Sequence, residues 1–239
     1  MCTVVGALLY MTVSGASYIY GSIAPYVGAY FYASATKTQL VFPLAVLCHL
    51  SAMPFGTRLA EKLSARKMMF IGGLINVMCL LLASFVPRES FGIFVLLWIT
   101  AIGTCNGLTY IVPIKLGWRA FPKNQSLMSG IIISGFGLGP LIFIQFTRLL
   151  VNPHNLSQEP IGINSDLKQF PEEVALRVPA MIRWLALSYS VIILTAICLV
   201  NEPAPIDARQ TSDDQFVRSD NKESSEKDAK AEEQNQNSE

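Results

Sequence analysis

The sequence predicts an all-α membrane protein, a bundle of six transmembrane helices followed by a disordered tail. Three observations carry this reading. Mean hydropathy is +0.41, with 51% hydrophobic and only 15% charged residues, too apolar for a soluble domain of 239 residues. Residues 1–36, 38–57, 68–87, 90–114, 124–147 and 184–201 contain no Asp, Glu, Lys or Arg, and each approaches or exceeds the roughly 20 residues that take a helix across a bilayer core. No run alternates polar and apolar residues as a membrane barrel strand does, so the backbone must satisfy itself within helices. After Asn201 the composition turns abruptly polar.

Residues 1–201 therefore form the transmembrane domain, with spans at about 4–31, 39–57, 68–87, 91–112, 125–147 and 182–200. The first is an uncleaved helix. Residues 1–36 have no basic leader and run well beyond the roughly 7–15 apolar residues of a secretory signal. Polar side chains inside the spans are few: Tyr18 and Tyr20 in the first, His49 in the second, Asn76 in the third, Asn106 and Tyr110 in the fourth, Gln145 in the fifth. Each is either an interhelical hydrogen-bonding group or a substrate contact. Asn106 and Tyr110 stand four apart on one helix face, beside Gly103 and Gly107, which permit a close neighbour. His49 either couples protons or packs as a hydrogen-bonding residue.

The fifth span, within "SLMSGIIISGFGLGPLIFIQF" at 126–146, is unusually thin. On a helical wheel Gly130, Ser134 and Gly137 lie within about 60° of one another, with Gly135 and Gly139 roughly opposite. Helices in lipid gain nothing by hiding apolar surface from each other, so small-xxx-small faces are how their backbones approach. Two opposed faces of this kind predict a helix squeezed on both flanks. Pro140 removes one helical hydrogen bond and favours a bend.

Residues 202–239 carry eleven acidic and five basic residues, few apolar ones and no helical stripe, and read as a disordered acidic tail. The remaining 201 residues hold thirteen basic and six acidic residues, so the overall net charge of +1 averages two unlike parts. The basic residues gather at helix ends, where they meet lipid head groups, and imply no nucleic-acid partner. Loop 58–67 has Arg58, Lys62, Arg66 and Lys67, and loop 115–123 has Lys115, Arg119 and Lys123, against Lys37 and Arg88 in the short loops opposite. This bias places both termini, and the tail, in the cytoplasm, with the plasma membrane as the default location. The sequons at Asn124 and Asn155 would fall on opposite faces and do not decide the topology.

Five cysteines, at 2, 48, 79, 105 and 198, sit in or beside apolar runs and imply neither a disulfide framework nor a metal site. Enzyme classes fit poorly. Ser134-Gly135 is not preceded by the Gly-x pattern of an intramembrane serine protease, the histidines at 49 and 154 are far apart, and the glycines at 135–139 have neither the spacing nor the preceding strand of a phosphate-binding loop. No catalytic residue, metal or cofactor is expected.

The block "GLTYIVPIKLGWRAFPKNQSLMSGIIISGFGLGPLIF" at 107–143 resembles the fourth-to-fifth-helix region of major facilitator superfamily transporters of the oxalate:formate antiporter and monocarboxylate transporter-like group. "GASYIYGSIAPYVGAYF" at 15–31 is similar to that group's opening helix, and "QFPEEVALRVPAMIRWLA" at 169–186 to its approach to the sixth helix. "GTRLAEKLSARK" at 56–67 resembles the superfamily's loop 2–3 signature through Gly56, Glu61, Lys62, Arg66 and Lys67, with Ser64 where a second glycine is usual and a spacing one residue long.

The resemblance implies the six-helix N-terminal half of a twelve-helix fold that encloses a cavity between its halves. It implies a small organic anion as substrate and alternating access as mechanism. Because the first and fourth helices line that cavity in the family, Tyr18, Asn106 and Tyr110 become the substrate-side residues. Glu61, Lys62 and Arg66 either latch this half against a second one or simply fix topology. Two readings stay open: a transporter whose cavity is completed by a homodimer or by another half, or a transport-inactive membrane protein that pairs with a full-length relative.

Overall fold

The computed structural model describes residues 1–160 and 168–201, and among them lie six helices long and apolar enough to cross a membrane. These are α1 (Cys2–Phe31), α2 (Ala35–Lys62), α3 (Ala65–Ala83), α4 (Phe91–Ala120), α5 (Pro122–Val151) and α6 (Glu172–Leu199). The tail at 202–239, expected to be disordered, lies outside the described residues. Between α5 and α6, Glu159 and Pro160 pair antiparallel with Gln169 and Lys168.

The helices run further than the charge-free stretches. α2 continues to Lys62, α4 to Ala120, and α6 begins at Glu172, ten residues before the expected start at 182. Absence of charge marks the hydrocarbon core, whereas the helical backbone goes on pairing with itself past it and long side chains reach for water.

α1 is the central helix, with 72% of its most apolar window buried against 22% for α2 and 28% for α5. It packs on α5, α6 and α4, while α2 lies along α4 and α3 lies along α6. The α1–α5 seam is held by missing side chains. A Cβ on Gly135 would stand 2.6 Å from the Leu8 carbonyl oxygen, and one on Gly139 2.1 Å from that of Thr12. The α2–α4 seam is similar, for a Cβ on Gly107 would meet the His49 carbonyl oxygen at 2.4 Å. Gly56 uses the same device, 2.4 Å from the Leu108 carbonyl oxygen, so within this bundle it seats α2 against α4.

The second face expected on α5 is not squeezed by this chain. A Cβ on Gly130 or Gly137 would meet nothing within 4 Å, and Ser134 is exposed with its hydroxyl turned back to the Ile131 carbonyl at 2.7 Å. A wheel shows which residues share a face but not how many neighbours a helix has, and here α1 covers only the Gly135 and Gly139 side. α5 passes helically through Pro140 from Gln125 to Val151.

Buried polar groups fasten the bundle. The Tyr10 hydroxyl of α1 donates to Thr109 Oγ1 of α4 at 3.2 Å and lies 3.4 Å from the Met69 carbonyl of α3. On the side away from the termini, Arg88 between α3 and α4 donates to the Tyr32 hydroxyl at 2.9 Å and to Glu172 Oε1 at 3.1 Å. Its guanidinium carbon sits 5.1 Å from the Tyr30 ring centroid and 5.6 Å from that of Tyr32. The ends of α1, α3 and α6 are thus clasped together. Tyr32, just past α1, turns the chain through the left-handed region at φ 50°.

Candidate functional site

Four helices bring aromatic side chains to one cluster. Tyr18 lies in a 3₁₀ turn, Ser17–Ile19, that interrupts α1. Its half-buried ring stands edge-on to Phe42 of α2 at 5.4 Å and to Phe136 of α5 at 5.1 Å, measured between centroids. Phe136 in turn meets Tyr110 of α4 edge-on at 5.7 Å, and Tyr110 meets His49 of α2 at 5.7 Å. Tyr18 and Tyr110, ninety-two positions apart in sequence, are therefore joined through a single phenyl ring. Edge-to-face contacts place the positive ring edge on a neighbour's negative face, which fixes ring orientation as well as distance.

Asn106 is turned differently. It is 3% exposed, and Nδ2 donates to the Ser14 carbonyl and the Ser17 hydroxyl of α1, both at 3.1 Å. A 3₁₀ turn changes the hydrogen-bond ladder from i+4 to i+3 and leaves backbone groups for other partners; the Asn106 amide meets the helix at this irregularity. Immediately after the turn in α1, the buried Tyr20 ring lies 5.2 Å from that of Trp98 in α4. α4 is irregular nearby as well, since Thr100–Thr104 winds as a π-helix. Asn106 thus braces α1 against α4 and, unlike Tyr18 and Tyr110, is not half-open.

Among the described residues neither the Tyr18 nor the Tyr110 hydroxyl has a hydrogen-bond partner. His49 is 5% exposed, and its buried Nδ1 has no partner among the described residues. The cluster therefore offers phenolic O–H donors and an imidazole set in an aromatic wall. Such a surface can donate hydrogen bonds to a small oxyanion while excluding water from its apolar part. Phe42 and Phe136 escape a sequence reading, because a phenylalanine in an apolar span carries no mark. Only its place between Gly135 and Gly137 sets Phe136 apart from the other phenylalanines of the spans.

The other polar candidates lie apart from this cluster. Asn76 of α3 is buried with no partner for Oδ1 among the described residues, and Gln145 of α5 is exposed. A cleft of about 500 Å³ opens at the far end of α1 and α2, lined by Gly21, Pro25, Gly28, Tyr32, Thr38 and Gln39 among others.

In the loop 2–3 motif, Glu61 and Lys62 are exposed at the end of α2. Arg66, in the first turn of α3, donates from Nη2 to the Val200 carbonyl at the end of α6. The helix terminus this motif touches within the chain is that of α6, and the cation rather than the carboxylate reaches it. A guanidinium at a helix C-terminus sits at the negative end of the helix dipole.

Comparison with known proteins agrees with this architecture. The chain is similar to Apicoplast pyruvate carrier 1 of Toxoplasma gondii, 30% identical over 162 residues that make up 64% of this chain and 29% of that protein. The chain thus matches less than a third of that relative's length. The family described as Major Facilitator Superfamily matches residues 6–221. With six apolar spans and a match across most of its length, this multi-pass membrane protein belongs to the Major Facilitator Superfamily.

Proposed function

We propose that the chain moves small organic anions by alternating access, in the manner of the oxalate:formate antiporter and monocarboxylate transporter-like group. The observation that carries this reading is the Tyr18–Phe136–Tyr110 cluster, built by α1, α4 and α5 with Phe42 and His49 of α2 at its edges. Two phenolic hydroxyls without partners among the described residues can take a carboxylate, and the aromatic wall suits a short carbon chain. The irregular turns in α1 and α4 support the same reading, because broken helices at a binding site are how transporters of several folds present polar groups within the membrane. The name of the similar pyruvate carrier points to the same substrate class. In this reading Tyr18 and Tyr110 contact substrate, and Asn106 positions α1. Gly56, Glu61, Lys62 and Arg66 shape the cytoplasmic gate. Gly130, Ser134 and Gly137 face a second six-helix unit, supplied by another copy or another half. The termini lie in the cytoplasm and the protein resides in the plasma membrane.

A second reading is that this chain binds and regulates a full-length relative without transporting. One observation favours it: among the described residues every Lys and Arg of the spans except Arg183 lies near a helix end, and Arg183 is exposed beside Phe85 rather than turned into the bundle.

Proteoliposome uptake of labelled formate, lactate, oxalate and pyruvate decides between them. Uptake of one of these acids, lowered by Asn106→Ala, is the expected result. No uptake across the panel by a folded protein overturns transport by this chain, and a strictly monomeric particle in detergent overturns self-pairing.

A further inference from the structure

The outer seam between α3 and α6 has no part in the aromatic cluster, yet it carries a continuous groove. At the terminus-bearing end, Ser64, Arg66, Lys67 and Asn201 border a concavity of about 260 Å³. Arg66 and Lys67 also border the next, about 370 Å³, whose other walls are Phe70, Ile71 and Ile197. Phe70 leads into a third, about 110 Å³, floored by Gly73 and walled by Leu74, Val77, Ile193 and Leu194. Shared residues join the three into one track that is cationic at one end and apolar along the rest.

We propose that this groove binds one anionic phospholipid, its phosphate on Arg66 and Lys67 and an acyl chain along the α3–α6 seam. Charge complementarity comes first. The first turn of α3 has two basic residues and no acidic one, and it is the positive end of that helix's dipole. The hydrogen bond from Arg66 to the Val200 carbonyl holds the guanidinium at the rim of the groove. Length comes second. From Arg66 to Val77 a helix rises about 16 Å, close to half of the roughly 30 Å hydrocarbon core, so the track spans one leaflet. The walls are the lipid-facing surface itself: Phe70, Leu74 and Leu194 are 48%, 49% and 54% exposed. Gly73 makes the depth, since a Cβ there would already meet Ile193 at 2.6 Å.

The test uses the full chain purified in detergent and native mass spectrometry with equal concentrations of phosphatidylglycerol and phosphatidylcholine. One phosphatidylglycerol is expected to be retained in preference. A Lys or Arg at a membrane surface favours anionic lipid by a factor of about five, so Lys67→Gln should lower retention about fivefold and Arg66→Gln with Lys67→Gln about thirtyfold. Lys67→Gln keeps the Arg66–Val200 bond, so its effect is separable from any loosening of α6. Leu74→Trp, which fills the track without touching charge, should also release the lipid. Equal retention of both lipids, or no change in Lys67→Gln and Leu74→Trp, overturns the proposal. So does Leu74→Trp dissociating a dimer with lipid retention unchanged, which would assign the groove to a second copy of the chain.

Discussion

The carbonyl oxygen of Phe136 stands where the methyl group of an alanine at position 15 would be: a Cβ built on Gly15 lies 1.8 Å from it. The cause is four residues further along α5. Pro140 has no N–H to bond the Phe136 carbonyl, and that carbonyl is left directed at the bare backbone of α1. A Cα–H of Gly15 is the group that faces it, a weak interaction available only where no side chain intervenes. The proline and the glycine, 125 positions apart, therefore solve one problem together.

Gly15→Ala should separate α1 from α5 and cost more than the ~1–3 kcal/mol typical of core overpacking, because the obstacle is backbone and cannot rotate away. Within this chain alone Gly130→Ala and Gly137→Ala meet none of the described residues, so in a monomeric particle both should be neutral or stabilising, since alanine is favoured over glycine within a helix by ~0.5–1 kcal/mol. Thermal unfolding in detergent reads the contrast. Similar melting temperatures for Gly15→Ala and Gly130→Ala would contradict the described seam.

Asn106→Leu keeps the volume of the side chain and removes its donors, leaving the Ser14 carbonyl and the Ser17 hydroxyl without the partner they have at 3.1 Å. A buried polar group left unsatisfied costs ~1–3 kcal/mol. Asn106→Ala adds a cavity and should cost more. If both variants melt like the native protein, the amide is not a brace between α1 and α4.

Tyr18→Phe and Tyr110→Phe preserve the edge-on ring contacts at 5.1 and 5.7 Å and remove only hydroxyls that have no partner among the described residues. Neither should lower the melting temperature. If they hold a carboxylate, each should weaken substrate affinity about tenfold or more, the scale of one hydrogen bond to a charged group. Unchanged apparent affinity in both variants would remove the hydroxyls from the substrate site.

Arg88 gives a pH prediction. The hydrogen bond to Glu172 raises its guanidinium pKa above the ordinary arginine value, and the nearby Tyr32 adds to this. A base whose folded-state pKa is raised contributes its stabilisation fully below the unfolded value and loses it only as pH rises through the folded one. The arginine side of the clasp is therefore constant across neutral pH, and the difference in melting temperature between native protein and Arg88→Ala should be the same at about pH 6.5 and pH 9. Arg88→Lys should rescue little, since a lysine loses the planar stacking over Tyr30 and Tyr32. A full rescue would reduce the clasp to simple charge.

The six spans were legible because lipid excludes charge, a constraint that acts on each stretch of chain separately. Their ends were less so: Lys115 and Arg119 lie within α4 even though they look like loop residues. Rare polarity marked seven candidates within the spans, Tyr18, Tyr20, His49, Asn76, Asn106, Tyr110 and Gln145, and the resemblance narrowed them to Tyr18, Asn106 and Tyr110. What each does was hidden, because only the fold reveals that the Asn106 amide meets a 3₁₀ turn in α1 while Tyr18 and Tyr110 share Phe136. The glycine pattern of α5 showed its closeness to a neighbour, but the α1 residue opposite it, Gly15, looked like any other glycine in an apolar run. Arg88, a lone loop cation in the sequence, gains its tyrosine and glutamate partners only when three distant helix ends meet.

The wide turn at Thr100–Thr104 holds one residue more than an α-helical turn would. Passing that surplus one position along the chain rotates the segment it crosses by about 100° and advances it about 1.5 Å. Such a slip, running toward Tyr110, would unscrew Asn106 from Ser14 and swing the phenol away from Phe136 with no change in the ends of the helix. α4 thus contains a thread with slack in it, and the slack lies within two residues of the side chain that holds α1 in place.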